Sequence, residues 1–260
     1  MKFAIFAHFN QENRVMPHAW LYIESLVSNG FKVIFVSNSV IPENELAVLE
    51  ENCINVIVRE NIGLDFCMWK AGIESLSLQD VSQLLLTNSS IIGPLRPLSS
   101  VFASASDWDC DFWGLTDNIE IAHHLQSYFM VFRKNVIISD AFSAFWDSVL
   151  PYRSKDQIIM SYEVGLTIWL QERGFRWRPM FGQKDIYNSQ LSQRKFLKKL
   201  YFIIFGNTGM GNTTLVFPEQ LLEMGFPFIK AYLLNHGTPL VSKEKALSLI
   251  RAYANNTHIK

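Results

Sequence analysis

The chain has 260 residues, with 23 Lys or Arg against 24 Asp or Glu, so its formal charge is −1; 49% of residues are hydrophobic and 13% aromatic. That aromatic content excludes a disordered chain, and 13 Gly with 9 Pro exclude a collagen-like or low-complexity one. Near-neutral charge removes the bulk attraction behind non-specific nucleic-acid binding, and no local basic patch suited to DNA or RNA stands out, so no nucleic-acid partner is expected. A chain of this length buries one large core. Cys53, Cys67 and Cys110, without a CxxC pair or a signal-peptide pattern, read as reduced and cytoplasmic. No run approaches the roughly 20 apolar residues that a membrane helix requires.

Residues 2–9 are the first expected strand. Residues 17–29 read as a helix with Trp20, Ile23, Leu26 and Val27 on one face and Gly30 as its stop. The cycle repeats with a strand at 32–37, a helix from Pro42 to Leu49 and a strand at 54–58. Short strands joined by single helices predict βαβ units, hence a parallel sheet covered on both faces. The segment RENIGLD, residues 59–65, then lies at the carboxyl edge, where open α/β sheets place ligand loops. A helix from about 68 to 76 leads to a strand at 83–87, which ends in Asn88-Ser89-Ser90. Strands at 111–116 and 125–132 follow without a long helix between them, so the sheet becomes mixed. Helices are expected at 141–150 and 157–173, the latter closed by Gly174.

Several motifs carry competing readings. Residues 206–213, GNTGMGNT, have P-loop glycine spacing, but Asn212 stands where the phosphate-binding lysine is required, so the segment reads as a loop. The basic amphipathic stretch 193–205, QRKFLKKLYFIIF, is either a solvated helix face packed on the core or a membrane-surface contact. His123 and His124 are adjacent, point to opposite faces of a strand, and do not ligate one ion together. His8, ending the first strand, is a ligand contact or a satisfied core histidine. In RENIGLD, which also holds Asn61, Arg59 offers a planar fork to a pyrophosphate, Gly63 admits a close backbone approach, and Asp65 accepts from a base or ribose. An Arg–Asp ion pair fixing that loop is the alternative. Glu163 sits near the start of an apolar helix, where desolvation raises a carboxyl pKa and the helix start favours the anion; a general base or a structural cap both fit.

Taken in order, RENIGLDFCMWKAGIESL, LLLTNSSIIGPLRPL, DFWGLTDN, HHLQSYFMVFRK, SDAFSAFW, SYEVGLT and GFPFIKAYLL resemble the rhamnan synthesis protein F family of bacterial polysaccharide glycosyltransferases. The matching stretches run from Arg59 to Leu234. The resemblance implies a GT-A-like, Rossmann-type mixed sheet, mostly parallel and flanked by helices, with a helical C-terminal appendage. With no internal repeat and no clear linker, the chain itself reads as one domain over 1–260, and together with the resemblance residues 1–100 are expected as the nucleotide-sugar-binding half, 101–182 as the acceptor and catalytic half, and 183–260 as the helical appendage. The implied activity is transfer of a sugar, L-rhamnose from dTDP-L-rhamnose, to a growing surface polysaccharide or O-antigen. A lipid-linked or oligosaccharide acceptor then places the protein at the inner face of the cytoplasmic membrane.

Within that resemblance Glu163 is the expected base of an inverting transfer, since Glu-x-x-Leu-x-x-x-Leu-x-x-x-Gly also looks like the acidic helix start of family-2 inverting transferases. Donor contacts are expected from His8, Arg59, Asn61, Gly63, Asp65, Lys70, Asn88 and Ser89. On the acceptor side, His124, Gln126 and Tyr128 alternate along one strand and supply polar groups and an aromatic platform; ordinary strand burial gives the same alternation. Trp113 and Trp69 stack on sugar or base, or sit in the core. Relatives commonly read Asn-Asp-Ser where this chain has Asn88-Ser89-Ser90. Without the aspartate a tightly held cation is not expected, and a weakly bound Mg²⁺ or Mn²⁺ is the cofactor left open. The substituted serine also keeps a second function open, a catalytically silent saccharide- or nucleotide-binding partner in a polysaccharide assembly complex.

Overall fold

The computed structural model describes residues 1–192 and 211–255. The chain begins β1 (Lys2–His8), α1 (Pro17–Ser28), β2 (Phe31–Ser37), α2 (Glu43–Asn52), β3 (Asn55–Val58), α3 (Leu64–Glu74) and β4 (Gln83–Asn88). It continues through β5 (Ile91–Ile92), α4 (Leu98–Ala105), β6 (Phe112–Asn118), β7 (His124–Leu125) and β8 (Phe129–Arg133). Then come α5 (Lys134–Ile137), α6 (Asp140–Asp147), α7 (Lys155–Ile158), a π-helical turn Ile159–Val164, α8 (Gly165–Glu172), β9 (Trp177–Phe181) and α9 (Gln183–Ser192). After residue 211 follow short helices Thr213–Val216 and Pro218–Glu223, strand β10 (Ile229–Lys230), and helices Ala231–Asn235 and Lys243–Asn255.

The main sheet has the order β3-β2-β1-β4-β8-β6-β7, with β9 beside β6. Strands β1 to β4 are mutually parallel, β8 is antiparallel to β4 and β6, and β9 is parallel to β6. This is the mixed, mostly parallel Rossmann-type sheet flanked by helices. Period-two alternation explains why β1 reads as continuously apolar. Ala4 and Phe6 enter one hydrophobic cluster, Phe3, Ile5 and Ala7 the other, because the sheet is covered on both faces. The first face is covered by Ala19, Tyr22, Ile23 and Leu26 of α1 and by α4. The second is covered by Phe66, Trp69 and Ile73 of α3, with α6 and α8. Phe217, Leu221, Phe226 and Phe228, from the segment read as an appendage, pack into the first cluster beside α1.

Several boundaries differ from the sequence reading. The buried stripe of α1 is Ala19-Tyr22-Ile23-Leu26, and Val27 is 43% exposed. Helix α3 starts at Leu64, four residues before the expected boundary, so Asp65 stands in its first turn. The strand expected at 125–132 is two strands, because residues 126–128 form a turn connecting β7 to β8. The helix containing Glu163 begins at Lys155, so Glu163 lies within a π turn in mid-helix. The stretch 193–205 lies outside the described residues, as do residues 206–210 of the loop at 206–213. Asn212 caps the next helix, its side chain accepting from the Thr214 amide at 3.1 Å.

Candidate functional site

Parallel strands end at one edge of the sheet, and that edge collects polar groups. His8, ending β1, is 1% exposed and shares a 2.9 Å hydrogen bond from Nδ1 with the Ser37 hydroxyl at the end of β2. Burial pushes this imidazole down to about 4. The Asn10 amide donates to Ser39 Oγ at 2.7 Å, tying the loop after β1 to the end of β2. His18, in the first turn of α1, also lies below its ordinary value through burial, opposed by a backbone hydrogen bond with Ser89. Nothing in the sequence pattern separated His18 from an ordinary helix residue.

After β3 the loop folds back through Arg59, whose Nη1 donates to the Ile62 carbonyl at 3.1 Å and to Asn38 Oδ1 at 3.4 Å. Asn61 Oδ1 accepts from Asn38 Nδ2 at 3.5 Å. Arg59 therefore holds its own loop and does not pair with Asp65. Gly63 caps α3 with φ of 77°, a left-handed conformation that favours glycine. A Cβ there would lie 2.8 Å from Cys67 Cβ and 3.0 Å from Pro151 Cα, and closer still to Cys67 Sγ. The close approach that requires glycine is made by the protein's own chain.

Asp65 and β4 meet next. Asn88 Nδ2 donates to Asp65 Oδ2 at 2.8 Å, while Asn88 Oδ1 accepts from the Ser90 amide at 3.1 Å and the Ser90 hydroxyl at 2.6 Å. Burial pushes the Asp65 carboxyl up to about 6, against the Asn88 hydrogen bond and the charge of Lys230. Ser89 Oγ accepts a 3.4 Å bond from the Phe9 amide.

A two-strand ribbon brings in a residue that sequence reasoning missed. Strand β10 is antiparallel to β5, with Ile229 opposite Ile92 and Lys230 opposite Ile91. The Leu95 amide donates to the Pro227 carbonyl at 2.7 Å and the Ala231 amide to the Ser90 carbonyl at 2.9 Å, which brackets the ribbon at both ends. Lys230 Nζ then lies 3.4 Å from Ser90 Oγ and 3.8 Å from the centroid of the Tyr128 ring. Lys230 is half-buried, and burial brings its ammonium down to about 8 against the attraction of Glu163 and Asp65. The quoted segment GFPFIKAYLL contained this lysine, but only the β5 pairing shows what it faces.

Glu163 completes the group. Ser127 Oγ donates to Glu163 Oε2 at 3.0 Å, and His124 Nε2 lies 3.8 Å from Oε1. Burial pushes the Glu163 carboxyl up; His124, the Lys230 charge and the Ser127 hydroxyl outweigh it and hold the group below the ordinary carboxylate range. Its partner moves the other way. Burial lowers His124, but Glu163, the Ala122 carbonyl and the charge of Asp117 together raise it. The mid-helix π turn, with these neighbours, replaces the helix start expected to favour the anion. Such turns mark functional sites in many helices.

Other expected contacts stand elsewhere. Lys70 Nζ donates to the carbonyls of Asp147 and Val149 at 3.1 Å each, closing the end of α6. Trp113 is 1% exposed and packs edge-on against Trp108 with ring centroids 5.7 Å apart, which is a core position. Trp69 is equally buried, its indole donating to the Thr87 carbonyl at 2.9 Å. Gln126 and Tyr128 are not on a strand face with His124. Thr116 Oγ1 donates to Gln126 Oε1 at 2.7 Å and lies 2.5 Å from the Tyr128 hydroxyl, so both polar ends face inward. Tyr128 reaches the site by its ring, beneath Lys230.

The end of β4 does not fit a divalent cation. Asn88, Ser89 and Ser90 offer neutral oxygens, Asn88 Oδ1 already accepts two hydrogen bonds, the adjoining Asp65 carboxylate accepts from Asn88 Nδ2, and an ammonium stands beside Ser90. Among the described residues no group of three or more His, Cys, Asp or Glu is placed to hold a metal ion.

The sheet order and the polar carboxyl edge define an α/β protein of Rossmann type whose polar groups gather at the ends of parallel strands. The profile of rhamnan synthesis protein F matches residues 33–208, more than half of the chain, and the chain belongs to that family. An uncharacterized protein, y4gN, of Sinorhizobium fredii is 31% identical over 182 residues, covering 68% of this chain and 48% of its own length. The chain thus spans about half the length of that curated relative. The virulence protein VirA of Vibrio anguillarum is 27% identical over 248 residues, 90% of this chain and 79% of its own. Among solved structures, a putative glucose-1-phosphate thymidylyltransferase from Bacillus anthracis aligns with TM-score 0.47 and 10% identity, over 70% of this chain and 87% of that one. Among the described residues no helix is long and apolar enough to cross a membrane.

Proposed function

We propose that the protein is an inverting glycosyltransferase that moves a sugar from a nucleoside diphosphate to a saccharide acceptor in polysaccharide synthesis. The family's name in rhamnan synthesis supports L-rhamnose, carried as dTDP-L-rhamnose, as the sugar, and a lipid-linked or oligosaccharide chain as the acceptor. The observation that carries the reading is the convergence of Asp65, Asn88, Lys230 and Glu163 at one polar edge.

In this reading the acceptor oxygen forms a bond to the anomeric carbon while the bond from that carbon to the β-phosphate oxygen breaks. The electron pair leaves with the nucleoside diphosphate, and the acceptor proton passes to Glu163. Glu163 is ionised at neutral pH, as a base must be, and Ser127 and His124 fix its two oxygens. Arg59, Asn61, His8 and Ser89 frame the nucleotide side, and His124 borders the acceptor side.

The test measures nucleoside-diphosphate release from dTDP-rhamnose, UDP-sugars and GDP-sugars, beside donor binding followed by thermal shift. Glu163→Gln is expected to lower turnover about 10²–10⁴-fold while donor binding persists. Unchanged turnover in that variant refutes Glu163 as base. Saturable donor binding with no turnover in the wild type supports instead a silent binding partner, the reading favoured by the neutral Asn88-Ser89-Ser90 sequence.

A further inference from the structure

We propose that the Lys230 ammonium grips the diphosphate of the donor and takes the electrostatic role that a carboxylate-held divalent cation would play at the end of β4. This rests on the transferase reading above and deepens it.

Three observations carry the proposal. The first is delivery: the β5–β10 register sets Lys230 opposite Ile91, next to Ser90 and just past the end of β4, and hydrogen bonds on both sides of the ribbon fix it there. The second is unused capacity. An ammonium has three protons to donate, yet Lys230 gives one long bond to Ser90 Oγ at 3.4 Å, and among the described residues no carboxylate comes within ion-pair reach of it. The Tyr128 ring lies under the ammonium itself, 3.8 Å from Nζ to the ring centroid, and takes up one side of it by a cation–π contact that adds no competing anion. The third is the mismatch already described: Asn88, Ser89 and Ser90 offer neutral oxygens, and the neighbouring Asp65 carboxylate already accepts from Asn88 Nδ2. A half-buried cation acts on a nearby phosphate through a lower effective dielectric than bulk water, which strengthens the attraction.

During transfer, negative charge grows on the β-phosphate oxygen as the anomeric carbon–oxygen bond breaks. Lys230 keeps its proton and meets that charge with hydrogen bonds, while Glu163 takes the acceptor proton. Lys230 and Glu163 so divide the two charges that the reaction creates, without exchanging a proton between them.

The experiment titrates full-length protein with inorganic pyrophosphate, dTDP, UDP and GDP by calorimetry in excess EDTA, using wild type, Lys230→Met and Lys230→Arg. Wild type is expected to bind pyrophosphate and at least one nucleotide without metal. Lys230→Met should weaken that binding at least tenfold, and Lys230→Arg should restore most of it. Wild-type binding that requires Mg²⁺, binding in Lys230→Met within twofold of wild type, or no binding of any probe overturns the proposal. A second measurement avoids variants altogether. Acetylation of Lys230 in the wild type, followed by mass spectrometry, should slow at least tenfold under saturating pyrophosphate, and an unchanged rate overturns the proposal. Failure of the transferase reading looks different: pyrophosphate bound through Lys230 with no donor consumed retains the anion site and removes the activity. Turnover that is indifferent to Lys230→Met removes the lysine's role and retains the activity.

Discussion

Replacing Gly63 by alanine tests whether this glycine serves the protein's own packing or a bound ligand. The backbone at Gly63 has φ of 77°, and a side chain in that left-handed region costs about 1–2 kcal/mol. Its new Cβ would meet Cys67 Cβ at 2.8 Å and Pro151 Cα at 3.0 Å, with Cys67 Sγ nearer still. Pro151 Cα is backbone and Cys67 Cβ is fixed to helix α3, so neither retreats as a flexible side-chain end would. Overpacking of this kind costs about 1–3 kcal/mol. The two together give about 2–5 kcal/mol, which at about 2–4 °C per kcal/mol lowers Tm by roughly 4–20 °C. Differential scanning fluorimetry reads this directly. Adding Cys67→Ala removes the sulfur contact only, so less than half of the loss should return. A Gly63→Ala protein melting within about 2 °C of wild type refutes the packing argument. If that protein also loses donor binding, the glycine instead admits a ligand.

Two further perturbations separate structural from functional residues. His8 titrates at about 4 when folded against 6.5 ordinarily, so the unfolded chain takes the proton first and stability falls as pH drops from 6.5 through 4. The shift corresponds to about 3 kcal/mol at most; urea unfolding across that range should show the decline in wild type and a flatter curve in His8→Asn, and identical curves refute the assignment. Trp113→Ala removes a fully buried indole and should cost about 3–5 kcal/mol of stability; an acceptor KM that changes in the folded variant while Tm holds would instead put Trp113 at the sugar.

Local signals made the sheet legible and hid part of the site. Strands β1, β2 and β4 are short apolar runs between turn residues, and burial on both faces leaves such runs unambiguous. The loop after β3 was legible for the same reason, since a parallel strand must end at a carboxyl edge. Lys230 was not, because its partner Ser90 lies 140 residues away and a ribbon of two residues per strand carries no periodicity. Alternation of His124, Gln126 and Tyr128 mimicked a strand, yet the turn at 126–128 gives these side chains different directions, as polar residues in a tight connection also alternate. Glu163 was found by its apolar surroundings, but the π turn that holds it has no composition signature, so the expected helix start was misplaced. For Trp113 and Lys70, residue type alone favoured neither ligand nor structural contact, and long-range packing decided.

Ser90 and the unexpected lysine belong to one arrangement. Lys230 donates to Ser90 Oγ, the Ser90 hydroxyl donates to Asn88 Oδ1, and Asn88 Nδ2 donates to Asp65 Oδ2, so every hydrogen bond in the chain runs from the ammonium toward the carboxylate. An amide has one accepting and one donating end, and this order fixes which end faces which neighbour. Each donor in such a chain polarises the next, so the orientation is self-supporting in a partly buried setting. A divalent cation at Asn88 Oδ1 would displace the Ser90 proton, reverse the polarity at that point and set two like charges side by side with Lys230. An anion does the opposite. It approaches the free protons of the ammonium, leaves the chain intact, and adds its negative charge on the Lys230 side, at the opposite end of the chain from Asp65. In the proposal above, the polarity of this network, which runs through Ser90, favours a phosphate at the Lys230 ammonium over a metal ion at Asn88 Oδ1.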